Sequence, residues 1–255
     1  MTNTKGNLLK NAPLKEVIFE LRWELDLIPQ HQVFVDEGFD EAVMNFRNST
    51  RNQFNEFERL ASAVIPFSLF NHKVTHRFYK EKSSMHPLYQ LGPGIFTVND
   101  NNKNYCWEDF KDLVLLGIQT LKSSYKKEIV PSKIELRYID AVNWKIFGDT
   151  DKFIFLKNNL NINAETYSFV TGGQLIDINF SKRFLIDKDV YLNIVIATGR
   201  DKNLNEELVV WHTFINNKER ISWDRVEEWL EQAHKICSDT FHKMVNPQLH
   251  EYFSR

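Results

Sequence analysis

Apolar and charged residues alternate along two stretches of this chain in nearly the same words. Glu16–Leu25 reads EVIFELRWEL and Ile134–Asn143 reads IELRYIDAVN. A period of two is that of a half-buried β-strand. In the first stretch Val17, Phe19, Leu21, Trp23 and Leu25 fall on one face, and Glu16, Glu20, Arg22 and Glu24 on the other. Both stretches carry a Glu-Leu-Arg core, at Glu20-Leu21-Arg22 and Glu135-Leu136-Arg137. Laid antiparallel so that unlike charges meet, Glu20 faces Arg137 and Arg22 faces Glu135 in one shared register.

The rest of the pattern builds a mixed fold around these two strands. Val35, Phe39, Val43 and Phe46 recur at helical spacing and predict a helix within Val35–Asn48. Arg51–Leu60 reads as helical or irregular, and Ala63–Phe70 as a short strand with an edge or bulge at Pro66. Val74–Lys82 and Pro87–Asn99 form a hairpin around Ser83–His86. Trp107–Lys127 is a helix, with Glu108 and Asp109 in its first turn and lysines near its end. The order β-α-β-(β-β)-α-β is the ferredoxin-like order with one added strand, and it places the first and last strands side by side.

The second half opens with a short helix near Asp149–Leu160. Strands at Tyr167–Phe180, Tyr191–Thr198 and Leu208–Asn216 then make an antiparallel meander, with turns at Ser181–Val190 and Gly199–Glu207. Gly172-Gly173 suggests a bulge in the first of these strands. Ser222 caps a long final helix whose stripe is Val226, Trp229, Leu230, Ala233, Cys237, Phe241 and Met244, and Pro247 marks its end. The expected class is α+β. A ferredoxin-like lobe spans 1–147, and a meander with its C-terminal helix spans 148–255, closely packed on the first.

Composition narrows the function classes. The 255 residues are 42% hydrophobic and include 20 Phe, enough for a sizeable core. A formal net charge of −2 argues against bulk attachment to nucleic acid or an anionic membrane. The basic pairs Lys182/Arg183 and Arg200/Lys202 are placed on successive meander turns, too dispersed for a nucleic-acid patch. Cys106 and Cys237 lack metal-type spacing, and a buried free thiol is expected at Cys237. The first residues hold no continuous apolar run of a secretory signal, and no run approaches a membrane span, so the expected location is cytoplasmic.

Candidate chemistry is sparse. Gly92 and Gly94, in Leu91-Gly-Pro-Gly94, make the one compact glycine turn, which could offer backbone N–H groups to an anion. It lacks nucleotide-loop spacing and precedes a strand, so a structural turn is the plainer reading. His72, His76 and His86 lie near one hairpin without a fourth ligand, and the expectation is no metal and no cofactor. His234 and His242, with Ser238 and Asp239, read as a solvated helix face. Asp140, on the same face as Leu136, is the most interesting lone acid, because a carboxylate on an apolar face must be solvated or hydrogen-bonded. Arg22 and Arg137 could grip a phosphate or carboxylate with their planar forks.

Several stretches resemble a sporadically distributed bacterial family of uncharacterised proteins of about this length. They are Asn11–Arg22, Leu91–Asn99, Tyr105–Phe110, Leu136–Asp140, and Ala233-His234 with Phe241. No activity is established for that family, and its patchy distribution is similar to that of mobile defence or toxin–antitoxin genes. The resulting expectation is a binding or assembly protein that recognises a protein partner or small ligand, with no nucleic acid and no membrane. The alternative is an enzyme or nucleotide sensor holding an anionic ligand through Arg22, Arg137 and Asp140 with the Gly92–Gly94 turn.

Overall fold

The computed structural model describes residues 9–64, 72–149, 151–163, 176–201, 204–217 and 219–255. The alternating stretch at the start forms β1 (Leu14–Trp23), and the second forms β8 (Pro131–Asn143). Between them come β2 (Asp26–Ile28), β3 (Val33–Val35), α1 (Phe39–Thr50), β4 (Glu56–Arg59), β5 (His76–Glu81), β6 (Ser84–Gly92), β7 (Ile95–Asp100) and α2 (Trp107–Ser124). After β8 follow α3 (Lys152–Asn159), β9 (Asn179–Asp187), β10 (Val190–Asp201), β11 (Glu206–Asn217), α4 (Val226–Met244) and α5 (Pro247–Ser254). Strands β2 and β3 pair with each other; the other nine form one antiparallel sheet in the order β4-β5-β6-β7-β1-β8-β11-β10-β9. Among the described residues, no helix is long and apolar enough to cross a membrane.

The two Glu-Leu-Arg strands are antiparallel neighbours, but their register is two residues from the one that opposite charges suggest. Glu20 faces Glu135, Ile18 faces Arg137 and Arg22 faces Lys133. The apolar face supplies the reason. In the observed register Phe19 meets Leu136, Leu21 meets Ile134 and Val17 meets Tyr138. The charge-matched register would set Asp140 against Val17, which is fully buried. Burying an apolar side chain is worth about 1.5–3 kcal/mol, whereas a partly exposed ion pair is worth about 0–1 kcal/mol.

The observed register also gives the sheet an internal two-fold relation. The equivalent glutamates of the two Glu-Leu-Arg motifs stand directly opposite each other. On either side the first strand pairs with the last strand of its own meander, β1 with β7 and β8 with β11. Each half then closes with a helix, α2 or α4.

Helices cover one face of the sheet. Phe46 of α1, Val114 and Leu121 of α2, and Leu230 and Ala233 of α4 pack with Phe19, Leu21 and Leu136 into one apolar cluster. Phe155 of α3 and Leu249 and Phe253 of α5 pack with Trp211 and Val209 into a second. Gly117 lets α2 approach closely, since a Cβ there would stand 2.7 Å from the Phe96 ring.

Several expectations are corrected. The Pro87–Asn99 strand divides into β6 and β7, because Gly94 adopts φ +72° and Pro93 has no N–H to donate. Arg51–Leu60 contains strand β4. The expected Ala63–Phe70 strand lies largely outside the described residues, and Ala61–Val64 is a 3-10 turn. Val33–Val35 is a strand, so α1 begins only at Phe39. Ser181–Asp187 is not a turn but most of β9, whose polar residues suit an edge strand that is mostly exposed. Lys182 and Arg183 are therefore strand residues; Lys202 and Gly172-Gly173 lie outside the described residues. Pro247 does not only end a helix: it is the first residue of α5, capped by Asn246 accepting from the Leu249 N–H at 2.7 Å. Phe241 is only partly buried, at the rim of the second cluster beside Phe253.

Candidate functional site

The glycine turn binds a carboxyl group of the chain's own. The Gly94 N–H donates to Asp36 Oδ2 at 2.8 Å, and the same oxygen accepts from the Tyr125 hydroxyl at 2.8 Å and Trp23 Nε1 at 3.1 Å. Burial raises the Asp36 pKa, opposed by these three donors. A Cβ on Gly92 would collide with the Lys73 carbonyl oxygen. Both glycines thus serve the fold at this turn.

The face without helices carries a polar sheet surface. Arg77 Nε donates to Gln90 at 3.1 Å, Gln90 donates to Thr97 and Asn99, and Asn99 donates to Glu16 at 2.8 Å. This chain of bonds crosses β5, β6, β7 and β1. Beyond it lies the charge ladder of β1 and β8. Arg22 Nε donates to Glu20 at 2.8 Å, and Arg137 Nε donates to Glu135 at 3.0 Å, each within its own strand. Lys133 stands 3.2 Å from Glu135 and 3.8 Å from Glu20. The Arg137 guanidinium lies 4.2 Å over the Phe214 ring, and Asn216 donates to Glu135 at 3.4 Å. Burial pushes the Glu135 carboxyl up, but Arg137 and Lys133 outweigh it and hold the pKa below its ordinary value. Three cations against two carboxylates leave the ladder one positive charge in excess.

The five sequence candidates do not converge. Arg22 pairs across to Lys133 while Arg137 pairs across to Ile18, so the two arginines stand four residues apart along the ladder. That separation is about 13 Å at the rise of a strand. Asp140 points to the opposite, helix-covered face, where its cross-strand neighbour is the fully buried Trp211. Among the described residues, no three His, Cys, Asp or Glu side chains are grouped to hold a metal; His72 bonds Gly94 O and His76 bonds Thr75 instead.

Around Asp140 the covered face holds a second cluster, which the sequence reading missed. The Tyr138 hydroxyl lies 2.7 Å from His234 Nδ1 and 3.1 Å from the Tyr105 hydroxyl. His234 stacks on Trp107 with ring centroids 3.9 Å apart, and Trp107 Nε1 donates to Glu231, which also binds Lys111. Burial lowers the His234 pKa to about 4, so its imidazole is neutral near pH 7. Burial raises the Asp140 pKa to about 7, with Lys15 pulling weakly the other way. Burial and the weak pull of Lys15 are the influences on the Asp140 carboxyl, with no hydrogen bond among them, and among the described residues the buried Thr213 Oγ1 and Trp211 Nε1 are unpaired. Cys237 is a buried free thiol in the same layer, its pKa raised first by burial and then by Asp140. His234 is half-buried against Trp107 and is not on a solvated face. It follows Leu230 by four and precedes Cys237 by three, so the apolar stripe itself was the signal.

Chemically, the covered cluster is a set of neutral hydroxyls, a neutral imidazole and an acid that gains charge only near neutral pH. The ladder, in contrast, presents fixed charge to solvent. Arg22, Lys133 and Arg137 each keep about a third of their side chains exposed, at 33%, 33% and 31%. Compared with protein-family models, with curated proteins and with solved structures, the chain matches none.

Proposed function

We propose that this chain is a binding or assembly protein that takes a protein partner on the helix-free face of its sheet. The observation that carries this reading is the ladder of Glu20, Arg22, Lys133, Glu135 and Arg137, held in place by its own ion pairs yet open to solvent. Such a surface gives register and specificity more than affinity. Two depressions among the described residues lie elsewhere, one lined by Trp223 and Lys122 and one by His250 and His242. A single small anion held by both Arg22 and Arg137 is less well supported, because each fork is already committed to its own glutamate. In this reading the N-terminal half is a ferredoxin-like unit with added edge strands, supported by β1 lying antiparallel between β7 and β8. The protein works in the cytoplasm, and the family resemblance gives it the setting of a bacterial defence or toxin–antitoxin accessory component.

The test is affinity purification of the native protein beside its Lys133→Glu/Arg137→Glu variant, with mass spectrometry of what co-purifies. A partner held by the native protein and lost from the folded variant supports the reading. A partner retained equally by both, or none with either, overturns it.

A further inference from the structure

The two edges of the sheet differ. At one end β4 is four residues long, and its outward side chains are Glu56 and Glu58. At the other end β9 runs for nine residues, and among the described residues only β10 pairs with it. Among the described residues no strand pairs with its other side, which there leaves a row of backbone N–H and C=O groups to be satisfied by water or by another strand. Apolar groups stand out beside that row, with Leu185 67% exposed and Phe184 43% exposed. Between Phe180 and Phe184 sit two cations, Lys182 and Arg183. Neither has an acidic partner among the described residues: Arg183 Nε donates to the neutral Asn193 at 2.7 Å and lies near the Tyr191 ring. Opposite faces are engaged, since Arg183 lies across from Asn193 on the helix-free side and Lys182 across from Ile194 on the covered side.

We propose that β9 receives an extended segment of another protein in which two adjacent acidic residues are followed by two adjacent apolar ones, so that each face of the added strand carries one acid and one apolar side chain. Backbone hydrogen bonds along the edge supply the attachment. The charges select the partner, because an acidic strand meets Lys182 and Arg183 while its apolar residues cover Phe184 and Leu185. A second copy of β9 is a poor occupant. Laid antiparallel about either central residue, it sets Lys182 against Lys182 or Arg183 against Arg183, which repel. The register shift after Leu185 confines regular pairing to Asn179–Leu185. This edge is a different surface from the charge ladder, so the fate of one reading does not decide the other.

Fluorescence anisotropy with two short synthetic peptides tests the proposal, one repeating Val-Val-Glu-Glu and one repeating Val-Val-Lys-Lys. The full chain should bind the acidic peptide at least about tenfold more tightly than the basic one. Lys182→Glu/Arg183→Glu should reverse that preference. Ser181→Pro, on an exposed edge, should abolish binding of both peptides while circular dichroism shows the fold retained. Lys126→Glu, at an exposed lysine outside both the ladder and β9, should leave acidic-peptide binding within about twofold. Binding of neither peptide, equal binding of both, or a preference that survives the double charge reversal would overturn the proposal.

Discussion

Glu135 and Asp140 are two acids on one strand, each only 5% exposed, and the fold treats them in opposite ways. Glu135 points to the helix-free face, where Arg137 and Lys133 reach it from within its own strand. Its carboxyl is held below the ordinary range, and it stays charged. Asp140 points to the covered face, between two apolar clusters, with no hydrogen bond among the influences on its carboxyl and only the exposed Lys15 to favour its charge. Its carboxyl is pushed up to about 7. Equal burial thus has opposite consequences. Loss of water raises a carboxyl pKa, and only nearby cations or donors bring it back.

The largest effect is expected at Asp140. Below about pH 4 Asp140 is protonated in both folded and unfolded chains. As pH rises, the unfolded chain loses the proton first, so the stability contributed by the folded-state proton declines up to a folded pKa of about 7. A rise from 3.8 to about 7 corresponds to about 4 kcal/mol. Asp140→Asn should therefore stabilise the protein by up to about 4 kcal/mol near pH 8 and hardly at all near pH 4. Urea denaturation at the two pH values reads this; an equal effect at both would mean that Asp140 is charged in the fold.

Removing a cation tests the other acid. Arg137→Met keeps the contact with Phe214 but leaves Glu135 with Lys133 alone. Breaking a fully buried pair costs about 3–5 kcal/mol, and the solvent access of Arg137 reduces the expected loss to about 2 kcal/mol. Thermal unfolding near pH 7 is the measurement, and a loss under about 0.5 kcal/mol would show that the ladder contributes register alone.

A smaller effect is expected from Glu135→Gln. The folded pKa of Glu135 is depressed, so its contribution is complete above an unfolded value of about 4.3 and is lost as pH falls through the folded value. The variant should lose about 1 kcal/mol near pH 7, and its deficit should shrink on acidification below about pH 4. A deficit that grows in acid would reverse the assignment. The smallest change is at Lys15. Lys15→Met should raise the Asp140 midpoint by less than about one pH unit, read from its side-chain carbon shift by NMR; a fall would mean that Lys15 does not favour the charged form.

The strand pair and the helices were legible because their signals are periodic. Alternation gave β1 and β8 and told which side chains share a face, and the stripe of α4 gave its buried residues from Val226 to Cys237. The register was not legible from charge, since both glutamates can pair along their own strands and the apolar face then sets the alignment. The length of β9 was hidden for a related reason. An edge strand needs no apolar alternation, so Ser181, Lys182 and Arg183 read as a turn. His234 lies on the core stripe by its spacing, and its polar imidazole is accommodated there through the Tyr138 hydroxyl and the Trp107 ring.

The local pattern of side chains already carries the class of fold, the pairing of the two Glu-Leu-Arg strands and the side of the sheet that their residues face. Those properties depend on local periods of two and of 3.6, which any window of the chain displays. The packed structure alone shows that strands of both halves join one antiparallel sheet and that Glu20 stands opposite Glu135. It also decided that Arg22, Arg137 and Asp140 do not meet, and that Tyr105, Tyr138 and His234 do. Convergence of residues distant in sequence is set by which apolar faces pack together and how closely, and no local pattern of side chains carries that information.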